Sequence, residues 1–239
     1  LGPIFAQRGW QIVRQPNRYL GAARNTAARQ ASGDYLLFMD DDNVAEPHQV
    51  ETMMRAMQAS GADIVTCGLN HFAGWDEPDR KVVPQRRWLP LGGAVAAGAF
   101  SNVFGDANAL VRKACFEGVG GFTEDYGVTH EDWEFHARAV LKGYALQVCP
   151  EFLAWYRVND DSMIRTLPPY PNQMRSLRPY LDAVPPMLRS LVAYAHGSTL
   201  KNGEQGNSTL WLAYAELTVK WRSKLEAGLE LAAMGRNKE

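Results

Sequence analysis

The chain is poor in cysteine. Three residues, Cys67, Cys115 and Cys149, are scattered over 239 positions. An odd number with no Cys-x-x-Cys pair argues against a disulfide framework or a zinc knuckle, and for a reducing compartment. An excess of one charge is missing as well. With 25 Lys+Arg against 26 Asp+Glu and no basic block, a general nucleic-acid binder is excluded. No acidic run is long enough for a disordered tail. Long apolar runs are also lacking: the longest uncharged stretch, Leu89 to Gly105, is Gly- and Ala-rich and broken by Pro90 and Asn102. It falls short of the ~20 apolar residues a membrane-spanning helix needs. The sequence opens on no signal-peptide pattern, so none is expected, and no internal repeat is found. The chain opens on Leu1 rather than Met, from which a processed or excised segment is expected. What is present, 46% hydrophobic and 21% charged residues, is the composition of a globular protein whose core needs no staples.

The first 150 residues alternate short apolar runs with helix-period segments, the pattern of an α/β domain. Trp10 to Arg14 reads as a strand, Pro16-Asn17 as a turn, and the Ala-rich Gly21 to Ala31 as a helix ended by Gly33-Asp34. Tyr35 to Met39 is a continuous apolar run, as in a central strand covered on both faces. Pro47 opens a helix with Val50, Met53, Met54 and Met57 on one face, and Gly61 stops it. Asp63 to Cys67, Ala109 to Val111, Leu146 to Cys149 and Leu153 to Arg157 are further strand candidates. A helix over 131–141 places Trp133, Ala137, Val140, Leu141 and Tyr144 together. Pro168, Pro169 and Pro171 mark a boundary near 165, so 1–165 is expected as one domain and 166–239 as a helical C-terminal extension. Pro185-Pro186 interrupt that extension, and Asn202 to Ser208 is expected as a polar linker before a helix spaced by Leu210, Tyr214, Leu217, Trp221 and Leu225.

Two carboxylate clusters carry the chemistry. Asp40, Asp41 and Asp42 follow the apolar strand and precede Asn43. Ligands of open α/β sheets bind at the carboxyl ends of strands, and hard divalent cations take one or two carboxylates plus substrate phosphates. A metal–diphosphate site is therefore one reading, and a helix N-cap the other. His130-Glu131-Asp132-Trp133-Glu134 opens the later helix, where an ionised Asp132 suits a general base or, equally, a first-turn acid favoured by the dipole. Arg24, on the Ala-rich helix, is either an ordinary surface arginine or a phosphate ligand.

In order, these pieces resemble the family 2 glycosyltransferases of GT-A fold. The resemblance rests on Pro16-Asn17, Gly21, Ala23-Arg24-Asn25, Gly33-Asp34-Tyr35 and the Asp-x-Asp of Asp40-Asp41-Asp42. It continues in Gly105-Asp106-Ala107-Asn108, Gly120-Gly121-Phe122, Glu131-Asp132-Trp133 and Gly143-Tyr144, and covers about residues 9–160. It implies an α/β GT-A domain, a Rossmann-like mixed sheet of the nucleotide-diphospho-sugar transferases flanked by helices, followed by C-terminal helices.

The implied activity is metal-dependent, inverting transfer of a sugar from a nucleoside-diphosphate sugar to the hydroxyl of a glycan or lipid-linked acceptor. Mn²⁺ or Mg²⁺ would be held by Asp42 and Asp40. Asp40, Asp41, Arg24 and Asn25 would line the donor, and Asp132 would be the catalytic base. Glu131, Trp133, Gly105, Asp106 and Asn108 would border the acceptor. The implied setting is bacterial polysaccharide biosynthesis, in the cytoplasm or peripheral to the inner face of the membrane. The family's opening strand–helix–strand unit should precede Trp10, so a fragment of a longer chain with additional domains, truncated at the N-terminus, is expected. Tyr156-Arg157-Val158 is followed by Asn159 where many relatives have His, which leaves a third metal ligand unsupported. Two rival readings accompany this one. One is a non-catalytic carbohydrate-binding or assembly module with a relict site. The other is a haloacid-dehalogenase-type phosphatase with Asp40 as nucleophile and Asp42 as acid.

Overall fold

A computed structural model describes residues 7–84, 86–159, 163 and 169–205, the side chains of 169–170 and 198–205 excepted. Six strands form one mixed sheet: β1 (Tyr35–Leu37), β2 (Val44–Ala45), β3 (Ile64–Phe72), β4 (Arg87–Trp88), β5 (Leu110–Arg112) and β6 (Leu146–Arg157). Their order is β1-β5-β3-β6-β2, with β4 paired to β3. β3 and β6 run parallel from Ile64↔Leu146 to Phe72↔Arg157, and the other pairs are antiparallel. β3 is buried over seven successive residues, as expected of a strand covered on both faces. The two strands expected over 146–149 and 153–157 are one. The register shifts on both sides of Gly68, and Pro150, which has no N–H for a ladder, falls among the unpaired residues of the irregularity.

Helices α1 (Tyr19–Gln30), α2 (Gln49–Ser60), α3 (Val95–Gly98), α4 (Lys113–Val119), α5 (Glu131–Leu141) and α6 (Pro169–Ala183) accompany the sheet. α2 ends at Gly61 in the left-handed conformation and buries Met53 and Met57 completely against Val65, Cys67, Leu69 and Leu153. Its stripe is rotated from the expected one: Gln49 and Thr52 face inward, while Val50 is 54% exposed. α5 also departs from the expected single face. Glu131, Trp133, Glu134, Phe135, His136, Ala137 and Ala139 are all buried because α3, α4 and α6 pack around it, and Leu141 is exposed. Phe135 lies in an aromatic cluster with Phe116 and Phe122, which in turn meet Phe38. Cys67, Cys115 and Cys149 are buried thiols without a bridge.

Three expectations are corrected. Trp10 to Arg14 form no strand: residues 10–18 have no regular secondary structure, and Trp10, Ile12 and Val13 are exposed. An apolar pattern supplies a face but not a neighbouring ladder, and no described strand pairs with this segment. Secondly, the chain divides into compact units at Leu1–Ala183 and Val184–Glu239, so residues 169–183 belong to the first unit although the prolines set them apart near 165. Thirdly, in the second unit a 3₁₀ turn (Pro186–Leu188) follows the Pro185-Pro186 break, and α7 (Arg189–Gln205) continues through Asn202 where a linker was expected. Residues 206–208 and the periodic run Leu210 to Leu225 lie outside the described residues. No described helix is long and apolar enough to cross a membrane.

Gly21 lets α1 touch the loop before α5. A Cβ at this position would lie 2.1 Å from the carbonyl oxygen of Thr123. Within a helix Gly→Ala ordinarily gains about 1 kcal/mol. Here the overlap, worth about 1–3 kcal/mol, opposes it with backbone that cannot rotate away. Gly21→Ala is expected to lower the urea midpoint of unfolding, against the helix-propensity trend.

Candidate active site

The acidic run lies just beyond β1. Phe38 N–H continues the pairing to Ala109 O, and Asn43 N–H then donates to Asp40 O, closing a turn over Asp40–Asn43. Helix α2 begins only after β2, with His48 at its N-cap position and no side-chain cap. The capping explanation of the acidic run therefore fails. Arg157, at the end of β6, braces the turn: its N–H donates to Asn43 Oδ1 (3.1 Å) and its Nε to Asp42 O (3.0 Å). Burial first, then the charges of Asp40 and Asp41, raise the Asp42 carboxyl above its ordinary value, and Arg157 opposes them.

Arg24 joins this cluster to the second. From α1, its Nη2 meets Asp40 Oδ1 at 2.5 Å, and its Nη1 donates to Glu131 Oε1 at the start of α5. Arg24 is 9% exposed and Glu131 3%, so this is a buried ion pair extended to a half-buried acid. Burial disfavours the guanidinium's charge, but Glu131 and then Asp40 outweigh it and hold its pKa above the usual value. The surface-arginine reading is thereby excluded, and both ends of the guanidinium are engaged by carboxylates.

Asp132 stands beside Glu131, and its Oδ1 accepts the N–H of Trp133 at 2.7 Å. Burial, then Glu131, push its pKa up to about 7, with Asp106 adding to the rise and Arg24 opposing it. Asp106 is raised to about 7 by burial and by Asp40. Its Oδ1 accepts the N–H of Asn108 (2.9 Å), and its Oδ2 has no hydrogen-bond partner. Tyr156 completes the group. Burial, then Asp106, Asp132, Asp40 and Asp42, push its hydroxyl up to about 12. Four carboxylates from three separate segments thus act on one phenol.

The remaining expected residues are placed differently from one another. Asn108 is buried and accepts from Gln49 Nε2 at 3.0 Å, while Asn108 Nδ2 and Gln49 Oε1 have no hydrogen-bond partner. Gly105, at φ +132, packs where a Cβ would strike Thr66. Trp133 is buried and donates Nε1–H to Gly98 O (2.7 Å). Asn25 spends its amide on Phe122 N–H, Phe122 O and Glu124, stapling α1 to the loop before α5. Asp41 is exposed beside Asp40. Sequence reasoning did not single out Tyr156, Gln49 or Arg175. For Tyr156 a signal existed in the Tyr156-Arg157 pair; for the other two, side chains on helices distant in sequence, there was none.

Among the described residues no group of three or more His, Cys, Asp or Glu is arranged to hold a metal ion. A shallow pocket lined by Leu91, Gly92, Val140, Tyr144 and Val148 has no carboxylate in its wall and lies apart from this chemistry.

A mixed sheet flanked by helices, with acids converging beyond a strand end, defines a GT-A-like α/β protein. Staphylococcus aureus TarS residues 1–349, solved in complex with UDP-GlcNAc, shares the fold with a TM-score of 0.55 at 13% identity, over 86% of this chain and 79% of that one. The mannosyltransferase PcManGT from Pyrobaculum calidifontis, solved with GDP-Man and Mn²⁺, superposes with a TM-score of 0.49 at 18% identity, over 91% of this chain and 66% of that one. The sequence model for glycosyl transferase family 2 matches residues 5–117. EpsH of Bacillus subtilis (strain 168), whose name assigns it to the glycosyltransferases, is 32% identical over 68 residues, which are 28% of this chain and 19% of that relative. Over residues 5–117 the chain is similar to family 2 of the glycosyltransferases. It matches about a fifth of the length of that curated relative, and the family match ends before α5. The phosphatase reading is set aside by this kinship, and Asp40, tied to Arg24, is a poor nucleophile in any case.

The raised Asp132 has a consequence for stability. Its folded-state pKa, about 7, exceeds the ordinary 3.8, so the folded form holds the proton that the unfolded chain releases. The fold therefore loses stability as the pH rises between these two values, and the loss levels off above the higher one. Asp132→Asn keeps the acceptor for Trp133 N–H but cannot ionise. Its melting temperature is expected to rise relative to wild type from pH 4.5 to 7 and to stay level above that, as measured by thermal unfolding without ligands.

Proposed function

We propose that the chain transfers a sugar from a nucleoside-diphosphate sugar to an acceptor hydroxyl, with inversion at the anomeric carbon. The observation that carries this reading is the Arg24 bridge between Asp40 and Glu131, which draws the acidic turn and the first turn of α5 into one site. Similarity to the family over residues 5–117 supplies the reaction class. The residues supply the division of labour.

Asp132 is the general base. Its Oδ1 is held by Trp133 N–H, so Oδ2 takes the proton of the acceptor hydroxyl as that oxygen attacks. A carboxyl poised near 7 rather than 4 is a stronger base and is about half ionised at neutral pH, which is the balance base catalysis favours. Asp106 Oδ2 and Asn108 Nδ2, buried and without hydrogen-bond partners, offer an acceptor and a donor for sugar hydroxyls. Arg24 positions the site rather than binding phosphate, and Glu131 holds Arg24.

The acidic turn fits a divalent cation by the chemistry of its donor set. Asp40, Asp41 and Asp42 are successive hard oxygen donors; burial first, then the charges of Asp40 and Asp41, raise Asp42, and a cation would relieve that repulsion. Asp42, with Asp40, would hold Mn²⁺ or Mg²⁺, the remaining ligands being diphosphate oxygens. When bound, such a cation would supply charge stabilisation to the departing nucleoside diphosphate. Asp41, exposed beside them, is left to meet the donor's ribose.

The test is calorimetric titration with Mn²⁺ plus UDP or GDP, followed by release of the nucleoside diphosphate from UDP- and GDP-sugars in the presence of simple pyranosides. Metal-dependent nucleotide binding and release are expected. Asp132→Asn should bind nucleotide as wild type does and lose roughly 10²–10⁴ in turnover. Wild-type turnover in Asp132→Asn would remove Asp132 as the base. Sugar binding with neither nucleotide binding nor release would favour the non-catalytic module.

A further inference from the structure

We propose that α6 is a latch for the catalytic helix: Asn172 and Arg175 hold the entry of α5, and with it Asp132, in the geometry that transfer requires. This rests on the reading of Asp132 as the base.

The entry of α5 is poorly self-supporting. His130 sits in the left-handed region at φ +66, without the glycine that region favours, at a cost of roughly 1–2 kcal/mol. His130, at the N-cap position, makes no side-chain cap, and the first turn carries Glu131, Asp132 and Glu134. The helix dipole favours acids there. Burying Glu131 and Glu134, at 3% and 1% exposure, nonetheless demands cations. Those cations come from outside α5.

Arg175 supplies one from the middle of α6, at 2% side-chain exposure. Nε donates to Thr123 Oγ1 (3.1 Å) and Glu134 Oε2 (3.2 Å). Nη1 donates to Val128 O (2.8 Å) and Thr129 O (3.5 Å), and Nη2 to Thr123 O (2.6 Å) and Thr123 Oγ1 (2.7 Å). Glu131 Oε2, the oxygen not used by Arg24, faces Arg175 Nη1 at 3.9 Å. One turn earlier, Asn172 Oδ1 accepts the N–H of Thr129 (2.9 Å), and its backbone carbonyl lies 3.1 Å from His130 Nδ1. Arg178 adds bonds to Glu134 Oε1 (2.7 Å) and Asp125 Oδ2 (2.5 Å).

These partners all fall within 123–134, the loop and first turn that deliver Asp132. The far half of α5 is secured differently, through Arg138 to Val119 O (2.9 Å) and Gly121 O (2.6 Å). The result is a line of alternating charge from the acidic turn to α6: Asp40, Arg24, Glu131, Arg175, Glu134, Arg178. A shift of α6 would move Glu131 and hence Asp132 relative to Arg24 and Asp40. Asn172 and Arg175 touch no substrate in this scheme and are positioning residues.

The test compares Arg175→Gln and Asn172→Ala with Arg138→Gln, which loosens the other end of the same helix. Hydrogen exchange of the amides over 128–134 is expected to quicken about tenfold or more in the first two, with the β3–β6 amides unchanged. Nucleoside-diphosphate release from the donor that wild type uses is expected to lose about 10²-fold in kcat in Arg175→Gln, with donor KM within about twofold, as for a misplaced catalytic group. Arg138→Gln, at a similar loss of melting temperature, should keep kcat within about threefold. Unchanged exchange over 128–134, or an equal fall of kcat in Arg138→Gln, overturns the latch. Should Arg175→Gln fail to fold, Asn172→Ala, which removes one acceptor, carries both measurements. If wild type releases nucleotide from no donor, the base assignment fails by itself, and the exchange comparison still decides whether α6 holds the entry of α5.

Discussion

Arg24 lies buried between Asp40 and Glu131, and the site depends on that placement. A cation withdrawn from water is costly unless carboxylates meet it, and a carboxylate as deep as Glu131 is costly without a cation. Each therefore requires the other, and the requirement fixes α1, the acidic turn and the start of α5 relative to one another. Neighbouring contacts serve the same end. Gly21 allows α1 to reach Thr123, and Asn25 ties α1 to Phe122. Removing Arg24 would leave two acids, one fully buried, facing Asp106 and Asp132 with no positive charge between them.

Even with Arg24 in place, the site holds more negative charge than it compensates. Asp42, Asp106 and Asp132 are all raised, in each case by burial first and by other acids next. Such unrelieved charge weakens a fold and is commonly found where a ligand or a reaction uses it. A site that receives a cation together with a diphosphate, and removes a proton from a hydroxyl, is one setting in which this arrangement is useful. α6 adds the cations that permit Glu131 and Glu134 to be buried without cancelling the charge on Asp132 itself.

Much of the architecture was legible in advance, for identifiable reasons. The Ile64 to Cys67 run announced a strand because burial on both faces leaves no polar alternation. The apolar run from Tyr35, expected as a central strand, supplies instead the edge strand β1 among the described residues, with only Leu36 of its three residues buried. Gly61 announced the end of α2 because the left-handed conformation suits glycine. Where expectation failed, the missing information was a neighbour. Trp10 to Arg14 has a strand's composition but no described ladder partner, and Val50 lies on the stripe's edge where only the packing of α2 decides. The prolines near 168 suggested a domain end, yet α6 starts among them and packs on α5.

Sequence alone determined which residue types could do chemistry and in what order: acids after a strand, acids opening a helix, an arginine before both. These follow from local rules, since strand ends, helix starts and carboxylate runs are properties of adjacent residues. It also sufficed for kinship, because kinship is carried by motif order. The tertiary structure decided what each of those residues touches. It turned Arg24 from a candidate phosphate ligand into a bridge and gave Asn25 to the fold. It brought Tyr156 among four carboxylates and Arg175 onto α5 across more than forty residues. Ion pairing and burial act over ångströms in space, and distance along the chain carries no trace of them.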